Sequence, residues 1–275
     1  GISGRGSLTF FERLQNYEFR RGISQDDERE YGRTHPMSGN RLARLREEYV
    51  VDPAWEVPTD PDLQMRFERV QAKLYGYLAT PERTLQAFPT YLTTVPARYA
   101  RAYAYHQDAR IEEALAEVDA LITLEPANPY FHELRGQVLM ESGRVAEALP
   151  NLREATRLTG SNPLIASLLG HALIATDNPA NLDEAEAVLR SAVGRDRENP
   201  FAWYQLGVVY GQRGEMPRAR LASAEQQIMS GNPQAALASA GAAELGLPAG
   251  SPDWIRAQDV QLQARAQLER LAEAN

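Results

Sequence analysis

Residues 128–163 read NPYFHELRGQVLMESGRVAEALPNLREATRLTGSNP, and this stretch contains a pattern that recurs along the chain. Its small and apolar residues lie at the offsets of two helices packed against each other: Leu134, Gly136, Ala148, Leu152 and Ala155. The small residue of the first helix recurs at steps of 34, 34 and 37 residues, at Ala102, Gly136, Gly170 and Gly207. The small residue of the second helix recurs at steps of 34, 37 and 34, at Ala114, Ala148, Ala185 and Ala219. Two markers with one period near 34 residues predict an array of two-helix repeats, with units starting near 95, 129, 163 and 200.

The longer step arises in the third repeat, between its two small residues. The three extra residues fall within 176–181, TDNPAN, a composition typical of loops. We therefore expect a longer turn between the two helices of this repeat.

The repeat units resemble tetratricopeptide repeats. The second unit has Gly136, Ala148 and Leu152 at the signature spacings, and the fourth combines the small residue Gly207 with the larger signature residues Trp203, Leu206 and Tyr210. A small residue where two helices cross lets their backbones approach, and larger residues fill the space around it. The resemblance implies an all-α helical solenoid in which each pair covers the apolar face of the pair before it, and it implies a binding rather than a catalytic protein.

Composition and charge restrict the class of partner. The chain has 275 residues, 43% of them hydrophobic, and a formal net charge of −8 with its basic residues scattered among acids. A phosphate backbone requires a basic surface, so we expect no nucleic-acid partner. No apolar run approaches the roughly 20 residues of a membrane span, so we expect none in this chain. The glycine-rich start without an initiating methionine suggests a fragment of a longer protein.

The N-terminal 50 residues carry a second pattern. A helix from Ser7 contains Phe10 and Phe11, a charged loop follows, and Thr34-His35-Pro36 precedes a helix over 41–49. This order resembles the end of the catalytic domain of periplasmic zinc metallopeptidases of the BepA/HtpX type, several of which continue into tetratricopeptide repeats. In that family an H-E-x-x-H helix binds the metal. No such motif occurs here, so the resemblance places the catalytic segment upstream of Gly1.

The peptidase resemblance implies a function for the whole protein. This chain would be the C-terminal substrate- or partner-binding region of a zinc-dependent endopeptidase in bacterial cell-envelope protein quality control, located in the periplasm. Zinc would be present in the intact protein and no cofactor in this chain. The implied partners are the upstream peptidase domain, unfolded envelope proteins and the outer-membrane assembly machinery. The alternative is a stand-alone tetratricopeptide adaptor or scaffold without protease activity, which would fit the cytoplasm.

His35 is the candidate metal ligand. In the peptidases that the segment resembles, a histidine at the Thr-His-Pro position can act as an extra, displaceable zinc ligand, which implies an auxiliary role for His35 in the intact protein. The alternative is a turn or helix-cap hydrogen bond. One ligand cannot hold zinc, so we expect no metal and no catalytic residue in this chain alone.

Three regions follow from these patterns. Residues 1–50 would be the remnant of the metallopeptidase domain, and residues 51–94 a linker with connecting helices over 62–78 and from Pro81. Residues 95–275 would form an array of about four repeats, followed by an alanine-rich helix over 234–245 and a last helix that covers the open end.

The concave surface of the array is the candidate partner-binding site. Aromatic and amphipathic side chains offer a large contact area with a polar end, which suits a peptide or protein partner. Counting from the start of each unit predicts these residues in the groove: Tyr99, Tyr103, His106, Tyr130, Glu133, Gln137, Met140, His171 and Tyr204. The alternative is that several of the tyrosines only pack between repeats.

Overall fold

The computed structural model describes residues 1–22 and 39–273, and in these residues the chain forms α-helices, one short 3₁₀ turn and no β-strand. The predicted all-α class is therefore confirmed. The chain divides into two compact units, residues 1–71 and 72–275. The region boundaries predicted after residues 50 and 94 stay predictions. None of the helices in the described ranges is both long and apolar enough to cross a bilayer.

The first unit contains α1 (Arg5–Arg20), α2 (Gly39–Val50) and the first part of α3 (Pro61–Leu78). α1 packs against α2, and Leu8 is its buried residue. The Ser3 hydroxyl donates a hydrogen bond of 2.9 Å to the carbonyl oxygen of Trp55, which holds the chain start against the turn after α2. The predicted Thr34-His35-Pro36 segment lies outside the described residues.

The second unit is a series of helix pairs, each joined by a short turn. We name the first helix of each pair the A helix and the second the B helix. In chain order the pairs are α5 (Val95–Gln107) with α6 (Ile111–Leu124), α7 (Pro129–Glu141) with α8 (Val145–Leu158), α9 (Pro163–Ala175) with α10 (Leu182–Arg195), α11 (Pro200–Gln212) with α12 (Met216–Met229), and α13 (Pro233–Glu244) with α14 (Pro252–Glu273). Each helix packs on the next along the chain. The predicted starts near 95, 129, 163 and 200 are confirmed.

A shared sequence signal starts the A helices. A threonine or asparagine accepts a hydrogen bond from a backbone N–H of the first turn, and a proline lies among the first two helical residues. The cap satisfies an N–H that has no partner within the helix, and proline has no N–H to lose there. The capping residues are Thr94, Asn128, Asn162, Asn199 and Asn232.

The small residues of the repeat lie where the two helices of a pair cross. A Cβ atom at Gly136 would lie 2.5 Å from Cγ of Leu152, and one at Gly170 would lie 2.5 Å from Cγ of Leu189. Both leucines are fully buried. These pairs therefore require glycine for their close approach. The three extra residues of the third repeat form the 3₁₀ turn Pro179–Asn181, as the loop composition predicted.

The C-terminal region differs from the prediction. α13 begins 33 residues after Pro200 and packs with α14, so the array has a fifth helix pair where we expected about four pairs and a cap. Ala236 and Ala240 of α13 form a core with Val260 and Ala264 of α14. α14 also packs against α12, so it still covers the preceding pair.

The end of α3 and the short helix α4 (Pro81–Ala87) cover the first pair. A Cβ atom at Gly76 of α3 would lie 2.5 Å from the carbonyl oxygen of Ala100, so the two backbones are in close contact there. The Gln107 amide donates hydrogen bonds to the carbonyl oxygens of Gly76 and Tyr77, at 3.2 and 2.6 Å. These bonds satisfy carbonyl groups that have no partner at a helix C-terminus.

Candidate partner-binding groove

The structure places all nine predicted groove residues on the A helices α5, α7, α9 and α11. We name this surface the A-helix face and define its accessible part by Tyr130, Glu133, Gln137, Leu164, His171, Phe201 and Tyr204. Asn199 links two A helices at the edge of this face. Its side chain caps α11 and donates a hydrogen bond of 3.3 Å to the hydroxyl of Ser167 on α9.

Tyr99 and Tyr103 are buried, and the C-terminal part of α3 contacts Tyr103. The ring of Tyr77 meets the ring of Tyr103 edge-on at 6.1 Å between centroids, and the Lys73 amine lies 5.9 Å from the centroid of Tyr103. On the other side, Tyr99 packs on Phe131 of the second pair at 5.3 Å. In this arrangement both tyrosines pack between helices, and the accessible face starts at the second pair.

Large apolar side chains are exposed at one equivalent position in three successive A helices. Tyr130, Leu164 and Phe201 each follow the proline that starts the helix, and their exposed fractions are 52%, 71% and 43%. Tyr204 is also exposed, about one turn after Phe201. Leu164 and Phe201 were missing from the predicted set, although their equivalence to Tyr130 in the repeat register could have identified them. The three residues form a row that runs across the repeats.

Polar side chains lie beside this row in the second pair. The Gln137 amide donates a hydrogen bond of 2.8 Å to the carboxylate of Glu141. The same carboxylate lies 3.2 Å from Nε2 of His106, which joins the first pair to the second. Met140 is partly buried against the core. Glu133 and Gln137 therefore flank the row with hydrogen-bonding groups, whereas Met140 and His106 mainly connect repeats.

Burial favours uncharged forms of two groups on this face. Burial raises the pKa of the Glu133 carboxyl, although the positive charge of Lys73 acts in the opposite direction. Burial lowers the pKa of His171, whose ring meets the ring of Phe201 at 5.5 Å. Burial also raises the pKa of the Tyr103 phenol. The face is therefore suited to apolar contact with a few polar anchors.

The described residues do not test the expectation of zinc in the intact protein, which stays a prediction. In them no three histidine, aspartate or glutamate side chains converge as a metal-binding group, and His35 lies outside them.

Comparison with known proteins supports the repeat fold. No family model matches the chain. It is 26% identical to human Tetratricopeptide repeat protein 13 over 170 residues, which is 58% of this chain and only 19% of that protein. The solved structure of the MamA RS-1 ArsTM double mutant has a TM-score of 0.51 and 17% identity, covering 61% of this chain and 94% of its own. MamA 41-end from Desulfovibrio magneticus RS-1 has a TM-score of 0.49 and 16% identity, covering 62% and 96%. The chain is thus a tetratricopeptide-like helical repeat protein.

Proposed function

We propose that this chain is a protein-interaction scaffold whose A-helix face binds an extended peptide segment of a partner. The row of Tyr130, Leu164 and Phe201 is the observation that supports this function most directly. Exposed apolar side chains at one position of successive repeats create a continuous contact surface, and such surfaces mark protein-binding sites. The similarity to human Tetratricopeptide repeat protein 13 agrees with a repeat array, and repeat arrays use extended surfaces of this kind for binding.

The row favours a partner with apolar side chains at regular intervals. An extended segment that crosses the A helices would place such side chains against Tyr130, Leu164 and Phe201 in turn, while its backbone meets Gln137 and Glu133. A few side chains near the centre of an interface contribute most of the binding energy, and truncating one of these few costs about 2 kcal/mol or more. Leu164 is central in the row and the most exposed of the three.

The test is the affinity of peptides selected against the whole chain by display. We expect Leu164→Ala to weaken the binding of a selected peptide by about 30-fold, which corresponds to roughly 2 kcal/mol. Leu124→Ala is the matched control, because Leu124 is 57% exposed at the end of the B helix α6. Fluorescence anisotropy with labelled peptide measures both. Equal weakening by the two variants, or none by Leu164→Ala, would exclude the A-helix face.

The narrower proposal is that this scaffold forms the C-terminal region of a periplasmic zinc endopeptidase. Its support is the sequence resemblance of residues 1–50, and the helices α1 and α2 lie in the order that this resemblance implies. None of the relatives reported above carries a peptidase name, so the scaffold without protease activity is at least as well supported. The genomic sequence upstream of Gly1 distinguishes them: a signal peptide and H-E-x-x-H support the peptidase, and a nearby start codon refutes it.

A further inference from the structure

A cavity of about 590 Å³ opens between α10, α11, α12 and α14. None of the residues that define the A-helix face lines it. Its apolar lining includes Trp203, Leu206 and Tyr210 of α11 and Leu221 of α12, and three of these are buried side chains of the array. The volume lies within the range of about 300 to 1,000 Å³ that is usual for small-molecule sites. The cavity is therefore large enough for a ligand of moderate size.

One residue at the edge of the cavity, Gly194, has no side chain. Gly194 lies nine residues after the small residue Ala185 of its B helix. The residues at the same position in the B helices α6, α8 and α12 are larger: Thr123, Arg157 and Ile228. A Cβ atom at Gly194 would have no atom within 4 Å, so close packing does not require glycine there. Glycine is also a poor helix former, so helix formation does not explain it either.

Four arginines line the cavity, and they differ in how completely they are neutralised. Arg218 is paired with Glu215 and Asp253, and Arg256 with the buried Glu225 and more distantly with Asp259. These two arginines are therefore already neutralised, and Asp253 and Asp259 also line the cavity.

The other two arginines lie on the wall formed by α10 and the turn after it. Arg190 lies 3.7 Å from Glu186, a carboxylate that Arg213 contacts more closely. Arg197 is exposed, and it forms no ion pair with any residue that the structure describes. This wall therefore carries incompletely neutralised positive charge next to an apolar surface.

We propose that the cavity binds a small amphiphilic anion. An aromatic or alkyl body would pack on Trp203 and Leu206, and a carboxylate or sulfonate group would pair with Arg190 and Arg197. Arginine forms strong charge-assisted hydrogen bonds with such groups. The cavity is thus a second binding site, independent of the A-helix face and of the peptide-binding function proposed for it.

The probe is 1-anilinonaphthalene-8-sulfonate, whose fluorescence rises in apolar surroundings. We expect the folded chain to bind one molecule, and Gly194→Ile to weaken binding at least 10-fold, because Gly194 lines the cavity and a large side chain there would occupy space at its edge. Arg197→Gln should weaken binding about three- to tenfold. Gly211→Ile is the matched control, since a Cβ atom at Gly211 also meets no atom within 4 Å and Gly211 does not line the cavity. It should leave the affinity unchanged.

Competition tests the chemistry of the ligand. Decanoate should displace the probe at least fivefold better than decanol, which has the same chain length and no charge. Circular dichroism confirms that each variant keeps its helix content. Equal affinity of the wild type and Gly194→Ile, or loss of binding on Leu164→Ala instead, would overturn the cavity as the site. Equal displacement by decanoate and decanol would overturn the proposed anion recognition.

Discussion

The glycines at the helix crossings allow a sharp test of the packing, because equivalent glycines differ in how much free space a Cβ atom would have. A Cβ atom at Gly136 would lie 2.5 Å from Cγ of Leu152, whereas one at Gly207 would have its nearest neighbour, the carbonyl oxygen of Ala219, at 3.6 Å. Both glycines lie inside A helices. The substitution to alanine is therefore the same chemical change in two similar helices with different surroundings.

Two effects decide the outcome. Alanine stabilises a helix interior by about 1 kcal/mol relative to glycine. At Gly136 this gain is opposed by overpacking, which costs about 1 to 3 kcal/mol because the branch atom of Leu152, and not only its methyl groups, must shift. We expect Gly136→Ala to lower the free energy of unfolding by up to about 2 kcal/mol, and Gly207→Ala to raise it by up to about 1 kcal/mol.

Urea unfolding monitored by circular dichroism measures both variants against the wild type. The midpoint should fall for Gly136→Ala and stay equal or rise for Gly207→Ala. Gly170→Ala should behave like Gly136→Ala, since Cγ of Leu189 would also lie 2.5 Å from the new Cβ atom. If all three variants shift the midpoint in one direction by similar amounts, the close packing of Gly136 on Leu152 and of Gly170 on Leu189 is refuted.

Two further predictions concern buried polar groups. Arg101, 1% exposed, donates hydrogen bonds to Glu117 and to the carbonyl oxygens of Phe88, Pro89 and Leu92. Arg101→Met should therefore lower the free energy of unfolding, measured in urea, by about 3 kcal/mol. Arg98→Met removes a more exposed partner of Glu117 and should lower it by about 1 kcal/mol or less. Equal losses for the two variants would contradict this. Because burial raises the pKa of Glu133 above its unfolded value, its contribution to stability is lost as the pH rises above the ordinary glutamate range. The advantage of Glu133→Gln over the wild type in melting temperature should be larger at pH 7 than at pH 4, and a constant difference would refute the assignment.

The repeat fold could be predicted because its signals are local. Glycine or alanine at two markers identified the crossings. The A helices start where the markers predicted them, at an asparagine followed by proline or, in α5, at Thr94 with Pro96 two residues later. The fifth pair was missed because its core is built from alanines such as Ala236 and Ala240. Alanine is common in exposed helix surfaces as well, so its pattern gives little contrast between buried and solvent-facing sides.

The exposed residues of the A-helix face could be predicted only in part. The repeat register correctly placed Tyr130 and Tyr204 on exposed positions of the A helices, and the same register would have identified Leu164 and Phe201. It could not reveal that Lys73 and Tyr77 of α3 cover Tyr103, or that Tyr99 packs on Phe131 of the next pair, because these partners lie in other helices. Burial by a distant segment depends on tertiary packing, which periodicity within one helix does not encode.

The close contact between the backbones at Gly76 and Ala100 also restricts the positions at which duplication could add a repeat to the array. Here the backbone of α3 rests on the backbone of α5 without an intervening side chain. A repeat copied in front of Val95 would present its own first helix to α3, and that helix would need an equally small, matching contact. A copy inserted between two interior pairs meets only surfaces that already fit one another. Lengthening the array should therefore be tolerated in its interior and resisted at its N-terminal end.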